Sequence, residues 1–254
     1  MSISITRTQN DGFNPVIISF TDPKKFLLIP IEELAPESKF IVIGKDNRYI
    51  FNIRLSITKI DYYVPLTLQG DTHIEIYKAP KSDAIGWSKL ELSDSFDDSD
   101  HEYYRQIYHF CPKYGWMNDP NGLFYKDGVY HAYYQYNPYA SVWGNMHWGH
   151  TTTKDFVHYE HHPVVMIPDE IGAIFSGSIV IDQDDVSGFG KDAVIAYYTS
   201  ATREDYTGQT QCMAISTDGG FTFKKYEQNP IITYDCRDFR DPIVIRYKNQ
   251  WNMF

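Results

Sequence analysis

Apolar and polar residues alternate along most of the N-terminal part of the chain. The alternation runs through residues 39–69, KFIVIGKDNRYIFNIRLSITKIDYYVPLTLQ, with a turn signal at 44–47, and it returns in THIEIYKAP at 72–80. A period of two is typical of strands with one buried face, and no window here shows convincing helical periodicity. The pattern predicts a small antiparallel β-sandwich over residues 1–95.

The strand pattern becomes more regular after an acidic stretch, SDSFDDSDHE at 93–102, which we interpret as a solvated linker. Polar turn residues at 126–128, 154–155 and 218–220 separate successive strand-like runs. Hairpins that follow one another without helices are typical of up-and-down meanders such as propeller blades. STDGGFTF also resembles the Asp-box turn of some propellers, which is structural. We therefore predict an all-β chain whose residues 96–254 form a partial β-propeller.

Composition and charge exclude several classes of protein. Hydrophobic residues make up 43% of the 254 positions, which is normal for a globular protein, and aromatic residues reach 16%. The formal net charge of −10 argues against nucleic acid as a partner and fits a neutral ligand. The three cysteines do not form a disulfide framework. No apolar run has the length of a membrane span, and the first residues lack the apolar core of a signal peptide.

Two Asp-Pro pairs precede strand-like runs. In WMNDPNG, Pro120 favours an extended Asp119, and Asn121-Gly122 is expected to turn the chain away. A turn-forming Asp is the simpler interpretation of that motif taken alone. FRDPIVI repeats the arrangement, so Asp119 and Asp241 would point into one pocket, and Arg240 would fix a carboxylate and lower its pKa. A local Arg–Asp pair is the alternative.

Other polar and aromatic residues fit a ligand site less specifically. Ser176 in FSGS either donates to a ligand or belongs to a polar turn, and Gln135 either reaches a ligand hydroxyl or caps a strand. Trp143 and Trp148 either stack on a sugar ring or belong to the core.

The histidines show no zinc-binding spacing and are better explained as sheet-surface residues, and no Gly-rich phosphate loop occurs. We predict neither a metal nor a cofactor. The histidines in question are His147, His150, His158, His161 and His162.

Taken together, these motifs resemble the levanase, inulinase and invertase family of β-fructosidases, glycoside hydrolase family 32. The resemblance covers roughly residues 103–254, and its motifs occur in the family's order: WMNDPNG (116–122), QYNP (135–138), WGNMHWGH (143–150), FSGS (175–178) and FRDP (239–242). It implies a five-bladed propeller with a funnel-shaped site and a retaining hydrolase that releases fructose from levan, inulin or sucrose. It also implies that Asp119 is the nucleophile, that Asp241 stabilises the transition state and that Arg240 orients the acidic cluster. The fructose subsite would be lined by Asn118, Gln135, Trp143 and Ser176.

The chain departs from the family pattern in two ways. The family's acid/base Glu lies in a Glu-Cys pair downstream of Arg-Asp-Pro, and this sequence contains no Glu-Cys pair. The sequence therefore predicts an incomplete catalytic domain that is inactive alone, with the missing blades lost or present as a separate C-terminal chain. The predicted sandwich precedes the propeller instead of following it; it is either a carbohydrate-binding module or a packing domain.

Two other functions remain open at this stage. A non-catalytic fructan-binding protein would keep the Asp119 subsite without the acid, and an arabinan-degrading propeller enzyme would invert the anomeric centre. The substrates favour secretion, the periplasm or the cell surface as the location, although this chain shows no signal peptide.

Overall fold

The computed structural model describes residues 2–7, 14–45, 47–68, 73–99, 106, 109–202 and 205–254. The chain divides into two compact units, residues 1–101 with 138–145, and residues 102–137 with 146–254. Apart from one short 3-10 helix, Ile85–Lys89, the regular structure of the described residues is β. Within those residues, no helix is both long and apolar enough to span a membrane. The all-β prediction is confirmed, while the proposed boundary at residue 95 stays a prediction.

The first unit is a β-sandwich of antiparallel strands. Its strands are β1 (Ser2–Arg7), β2 (Val16–Thr21), β3 (Phe26–Ile31), β4 (Ser38–Ile43), β5 (Arg48–Ile53), β6 (Tyr62–Thr67), β7 (His73–Tyr77) and β8 (Glu91–Ser93). One sheet has the order β1-β2-β7-β4-β5 and the other β6-β3-β8. The predicted hairpin joins β4 to β5, with the N–H of Gly44 donating to the carbonyl of Asn47.

Alternating side chains of the two sheets form one apolar core. Ile18, Leu27, Ile29, Phe40 and Ile74 are fully buried there, as the period-two pattern requires. Full burial of such side chains contributes roughly 1.5–3 kcal/mol each.

Residues 138–145 also belong to this unit and cover the edge strand β5. Tyr139 joins the core and its ring lies 4.6 Å from that of Phe51. The side-chain amide of Asn145 donates to the carbonyl of Asn52 at 2.8 Å and accepts from its N–H at 2.7 Å. One side chain thus supplies the pair of hydrogen bonds that a neighbouring strand would give.

The second unit is built from successive antiparallel meanders, which confirms the predicted propeller-type blades. The first sheet contains β9 (Trp116–Lys126), β10 (Val129–Asn137), β11 (His147–Thr153) and β12 (Tyr159–Met166). The second contains β13 (Ala173–Asp182), β14 (Ala193–Ala201), β15 (Gln209–Ser216), β16 (Lys224–Lys225) and β17 (Ile232–Thr233). A third sheet consists of β18 (Val244–Tyr247) and β19 (Gln250–Met253).

The turns form where the sequence places them. Asp127 and Gly128 both have positive φ, 50° and 83°, which is the conformation of a two-residue type I′ hairpin. The Asp218 carboxylate accepts hydrogen bonds from the Ser216 hydroxyl and from the N–H groups of Phe221 and Thr222. This network closes the β15–β16 turn, so the structural interpretation of STDGGFTF is confirmed.

Buried aromatic side chains join the first two sheets of the second unit. Tyr133 is fully buried and its hydroxyl donates to the carbonyl of Gly220 at 2.7 Å. Trp148, also fully buried, donates from its indole N–H to the carbonyl of Phe175 at 3.0 Å. Of the two roles open for Trp148, the structure therefore supports the core.

Candidate active site

A β-bulge in the first sheet of the second unit sets the position of Asp119. Tyr134 pairs with Pro120 and Tyr136 pairs with Met117, so Asn118 and Asp119 together lie opposite the single residue Gln135. A bulge of this kind re-aims side chains and often occurs beside active sites. The motif WMNDPNG therefore forms part of a distorted strand, with two neighbouring polar side chains at the distortion.

Our expectation that Asn121-Gly122 turns the chain away is wrong. Both residues lie inside β9, where Gly122 and Leu123 face the single residue Ala132 in a second bulge. Gly122 has φ +55°, and a Cβ at this position would come within 3.0 Å of the Trp148 ring. Glycine thus allows a left-handed kink against a buried aromatic ring, and the strand continues beyond it.

A third bulge, in the second sheet, brings Ser176 to Asp119. Ile174 pairs with Ser200 and Gly177 with Tyr198, so Phe175 and Ser176 lie opposite Thr199 alone. The hydroxyl of Ser176 donates to Oδ2 of Asp119 at 3.0 Å. The hydrogen bond from the buried Trp148 indole to the carbonyl of Phe175 fixes the backbone of this bulge.

The carboxylate of Asp119 is held by two side-chain donors. Besides the Ser176 hydroxyl, Nδ2 of Asn118 donates to its Oδ1 at 3.2 Å. The same Nδ2 lies 3.2 Å from Oε1 of Gln135. Asn118, Asp119, Gln135 and Ser176, all predicted from the sequence, are thus brought together.

Asp241 approaches the same site from the segment before β18. It has a left-handed backbone, φ +61°, and its N–H donates to the hydroxyl of Thr199 at 3.0 Å. Partial burial raises the pKa of Asp241, the guanidinium of Arg240 opposes that increase, and the charge of Asp119 adds to it. The influence of Asp119 shows that the two carboxylates feel each other's charge.

Arg240 lies between two acidic side chains. Its Nε is 3.6 Å from Oδ2 of Asp241, and its NH1 bonds the carboxylate of Asp238. The guanidinium therefore contacts the predicted second carboxylate directly, and the net pKa shift of Asp241 is nonetheless upward because burial outweighs the positive charge.

Trp143, the remaining predicted site residue, lies in residues 138–145 and so in the first unit. Its side chain is 41% exposed. Its assignment to the fructose subsite stays a prediction.

The sequence did not reveal the polar network that fixes Asp241. The Thr199 hydroxyl bonds Oε1 of Gln211 at 2.9 Å, and Nε2 of Gln211 donates to the carbonyl of Phe239 at 2.8 Å. Thr199 and Gln211 are cross-strand partners that are almost fully buried. The sequence offered only a weak signal, because AVIAYYTSA and QTQCMAIS contain other polar residues besides Thr199 and Gln211.

The histidines are not surface residues throughout, contrary to our expectation. His150 is fully buried and His131 almost so, with His131 Nδ1 3.1 Å from His150 Nε2. The ring of His162 lies 4.7 Å from that of His150. Burial lowers the pKa of His131 to about 4 and that of His150 to about 3. Within the described part of the chain, no group of three or more side chains is arranged to hold a metal ion.

The second unit is all-β and carries one carboxylate at a strand bulge, Asp119, which acts electrostatically on a second one, Asp241. Amide, hydroxyl and guanidinium groups flank the two, and this combination defines a glycosidase-like site. The family model described as glycosyl hydrolases family 32 N-terminal domain matches residues 109–254. The chain belongs to glycosyl hydrolase family 32. Residues 12–108 match a second model, described as a domain of unknown function (DUF4980).

Proteins of similar sequence support the assignment to this family. A levanase of Bacillus subtilis is 48% identical over 169 residues, covering 63% of this chain and 24% of the levanase. An invertase of Debaryomyces hansenii is 47% identical and covers 59% of this chain and 30% of the invertase. The chain therefore spans less than a third of either relative.

A solved structure shows the same fold in part. The β-fructofuranosidase of Schwanniomyces occidentalis complexed with fructosyl-erythritol is 44% identical, with a TM-score of 0.56. The match covers 61% of this chain and 32% of that chain.

Proposed function

We propose that this chain carries the nucleophile half of a retaining β-fructosidase that releases fructose from levan, inulin or sucrose. The observation that supports this most directly is the Asp119 carboxylate, held by the Ser176 hydroxyl across two sheets and electrostatically coupled to Asp241. The similarity to a levanase and an invertase favours the substrate class.

In the proposed first step, an oxygen of Asp119 attacks the anomeric carbon of a fructosyl unit and the bond to the leaving oxygen breaks. The hydrogen bonds from Asn118 and Ser176 would hold the carboxylate in the orientation for attack. Asp241 would accept hydrogen bonds from ring hydroxyls and stabilise the positive charge that develops at the anomeric carbon. Arg240 would hold Asp241 in place.

A general acid must protonate the leaving oxygen when that oxygen is a poor leaving group, and its loss typically slows such reactions 10²–10⁴-fold. This sequence contains no Glu-Cys pair. We propose that the acid comes from further propeller strands that pack beside β18 and β19, either in the same polypeptide or as a separate chain. The exposed apolar side chains there support this proposal: Ile243, Ile245, Tyr247, Trp251 and Phe254.

The experiment that tests the nucleophile uses a substrate that needs no acid. A fructosyl fluoride loses fluoride without protonation, so Asp119 should form a covalent fructosyl ester that intact mass spectrometry detects as one added fructosyl unit. Asp119→Asn should give no adduct. The control Asp127→Asn, at an exposed hairpin turn, should label like the parent chain.

Labelling that persists in Asp119→Asn would remove Asp119 from its role. Fructan binding without any adduct in the parent chain would instead favour the alternative function, a non-catalytic fructan-binding protein.

A further inference from the structure

A buried threonine and a buried glutamine hold the backbone on both sides of Arg240. The N–H of Asp241 donates to the hydroxyl of Thr199 at 3.0 Å, and Nε2 of Gln211 donates to the carbonyl of Phe239 at 2.8 Å. The Thr199 hydroxyl in turn donates to Oε1 of Gln211 at 2.9 Å. These three hydrogen bonds, called the Thr199–Gln211 network below, close a circuit with the backbone of the segment.

The network has only one consistent arrangement of donors and acceptors. A carbonyl can only accept, so Nε2 of Gln211 must face Phe239, and Oε1 is left to accept from Thr199. That hydroxyl has then used its one proton and can only accept at its remaining position, from the N–H of Asp241. Thr199 is 0% exposed and Gln211 is 2% exposed, so loss of either side chain would leave a buried polar group unpaired.

The backbone of Asp241 is in a conformation that requires support from its surroundings. Its φ of +61° lies in the left-handed region, which residues other than glycine adopt only where neighbouring contacts enforce it. The segment is held again at Val244, whose N–H donates to the hydroxyl of Ser178 at 3.0 Å. Because the side chain of Asp241 leaves the backbone at this point, a change in φ would move its carboxylate.

Thr199 also lies opposite the residue that holds Asp119. The bulge that contains Ser176 faces Thr199, and the Ser176 hydroxyl donates to Oδ2 of Asp119 at 3.0 Å. Directly after this bulge the two strands approach closely, since a Cβ on Gly177 would lie 1.9 Å from the carbonyl oxygen of Tyr197. The separation of the two carboxylates therefore depends on this one position of β14.

We propose that Thr199 and Gln211 are positioning residues for the reaction and that they act through Asp241. The inference rests on the proposed function, since it assigns a role to the residues behind the second carboxylate of that site. Both side chains are almost fully buried, so they contribute by keeping the Asp241 carboxylate where positive charge develops on the fructosyl unit.

Labelling of this chain by a fructosyl fluoride at a series of concentrations measures the effect. Mass spectrometry then gives a maximal labelling rate and a concentration of half-saturation. Thr199→Val keeps the shape of the side chain but lacks the hydroxyl, and it should lower the maximal rate about ten- to hundredfold. The half-saturation concentration should change less than about threefold, because the lost interaction acts mainly in the transition state.

Two variants and a matched control separate positioning from general packing. Thr199→Ser restores the hydroxyl and should recover most of the rate, whereas Gln211→Met should lower the rate as Thr199→Val does. Ser200→Ala is the control, because Ser200 is the next residue of β14, is 2% exposed and has a hydroxyl without a partner among the described residues. Its labelling rate should equal that of the parent chain. Circular dichroism confirms that each variant is folded, and either Thr199→Val or Gln211→Met suffices to break the network.

A double variant tests whether the threonine acts through the aspartate. If it does, Thr199→Val should slow labelling of the Asp241→Asn chain far less than it slows labelling of the parent chain. An equal factor in the two backgrounds would overturn the inference, because Thr199 would then act independently of the Asp241 carboxylate.

The remaining outcomes distinguish this inference from the proposed function. Parent-like maximal rates for both Thr199→Val and Gln211→Met would overturn the positioning role and leave Asp119 as the nucleophile. A loss in Ser200→Ala as large as that in Thr199→Val would also overturn it, because strand packing would then be responsible. A parent chain that forms no adduct would refute the proposed function and the positioning role together.

Discussion

The buried histidines of the first sheet of the second unit should make the stability of that unit depend on pH. His131, His150 and His162 form a column of rings that also contacts Phe124, Tyr133 and Phe221. Burial lowers the pKa of each histidine, because a charged imidazole would lose its hydration there. Lys126 lowers the pKa of His131 further, while Asp218 and Glu160 oppose the decrease for His150 and His162.

The sign of the effect follows from proton uptake. A histidine whose pKa is lower in the folded state binds fewer protons there than in the unfolded chain, so stability falls as the pH drops below about 6.5. The decrease for His131 continues to about pH 4 and that for His150 to about pH 3. At pH 5, 1.5 pH units below the unfolded value, each of these two groups costs about 2 kcal/mol at 1.36 kcal/mol per unit.

Urea titrations at pH 7.5 and pH 5 measure this difference. We expect the free energy of unfolding of the parent chain to fall by about 4 kcal/mol, and that of His131→Phe to fall by about half as much. His131→Phe preserves ring packing against Phe124 but cannot be protonated. Equal free energies of unfolding at the two pH values would refute the burial of neutral histidines.

Two further predictions concern the candidate active site and the β9 bulge at Gly122. Asp241→Asn should slow labelling by fructosyl fluoride severely and have a smaller effect on fructose binding, because the carboxylate stabilises charge that develops only in the transition state. Mass spectrometry of samples quenched at successive times measures the labelling rate. An unchanged rate would contradict the assignment of Asp241. Gly122→Ala should lower the free energy of unfolding by about 1–3 kcal/mol in urea titrations, because alanine is strained at φ +55° and its Cβ would meet Trp148. A parent-like value would show that the strand can adopt another backbone at this position.

Local chemistry explains why the hairpins could be predicted from the sequence. Asp127-Gly128 needs only the φ preferences of its own residues, and Asp218 closes its turn through neighbours in the same segment. Alternation likewise predicts which side chains of β7 face the core of the first unit, because burial repeats every second residue along that strand. These features depend on contacts that are close in sequence.

The bulges could not be predicted, because they depend on partners distant in sequence. WMNDPNG resembles a turn in isolation, yet β10 pairs along it and forces Asn118 and Asp119 opposite Gln135. Nothing near Thr199 in the sequence indicates that its hydroxyl accepts a hydrogen bond from the N–H of Asp241. Asp241 lies in the segment between β17 and β18, which connects the second sheet to the third. The resemblance predicts which residues react, whereas strand register and long-range hydrogen bonds decide how those residues are held.

The side-chain amide of Asn145 has a consequence for association between molecules. Edge strands expose N–H and C=O groups that can recruit a strand from another chain, and proteins block them in several ways. At Asn52, in the edge strand β5, both groups are already bonded to Asn145. An incoming strand would have to displace this amide and lift the Tyr139 segment from the core. The segment therefore protects this edge of the sandwich against intermolecular strand addition.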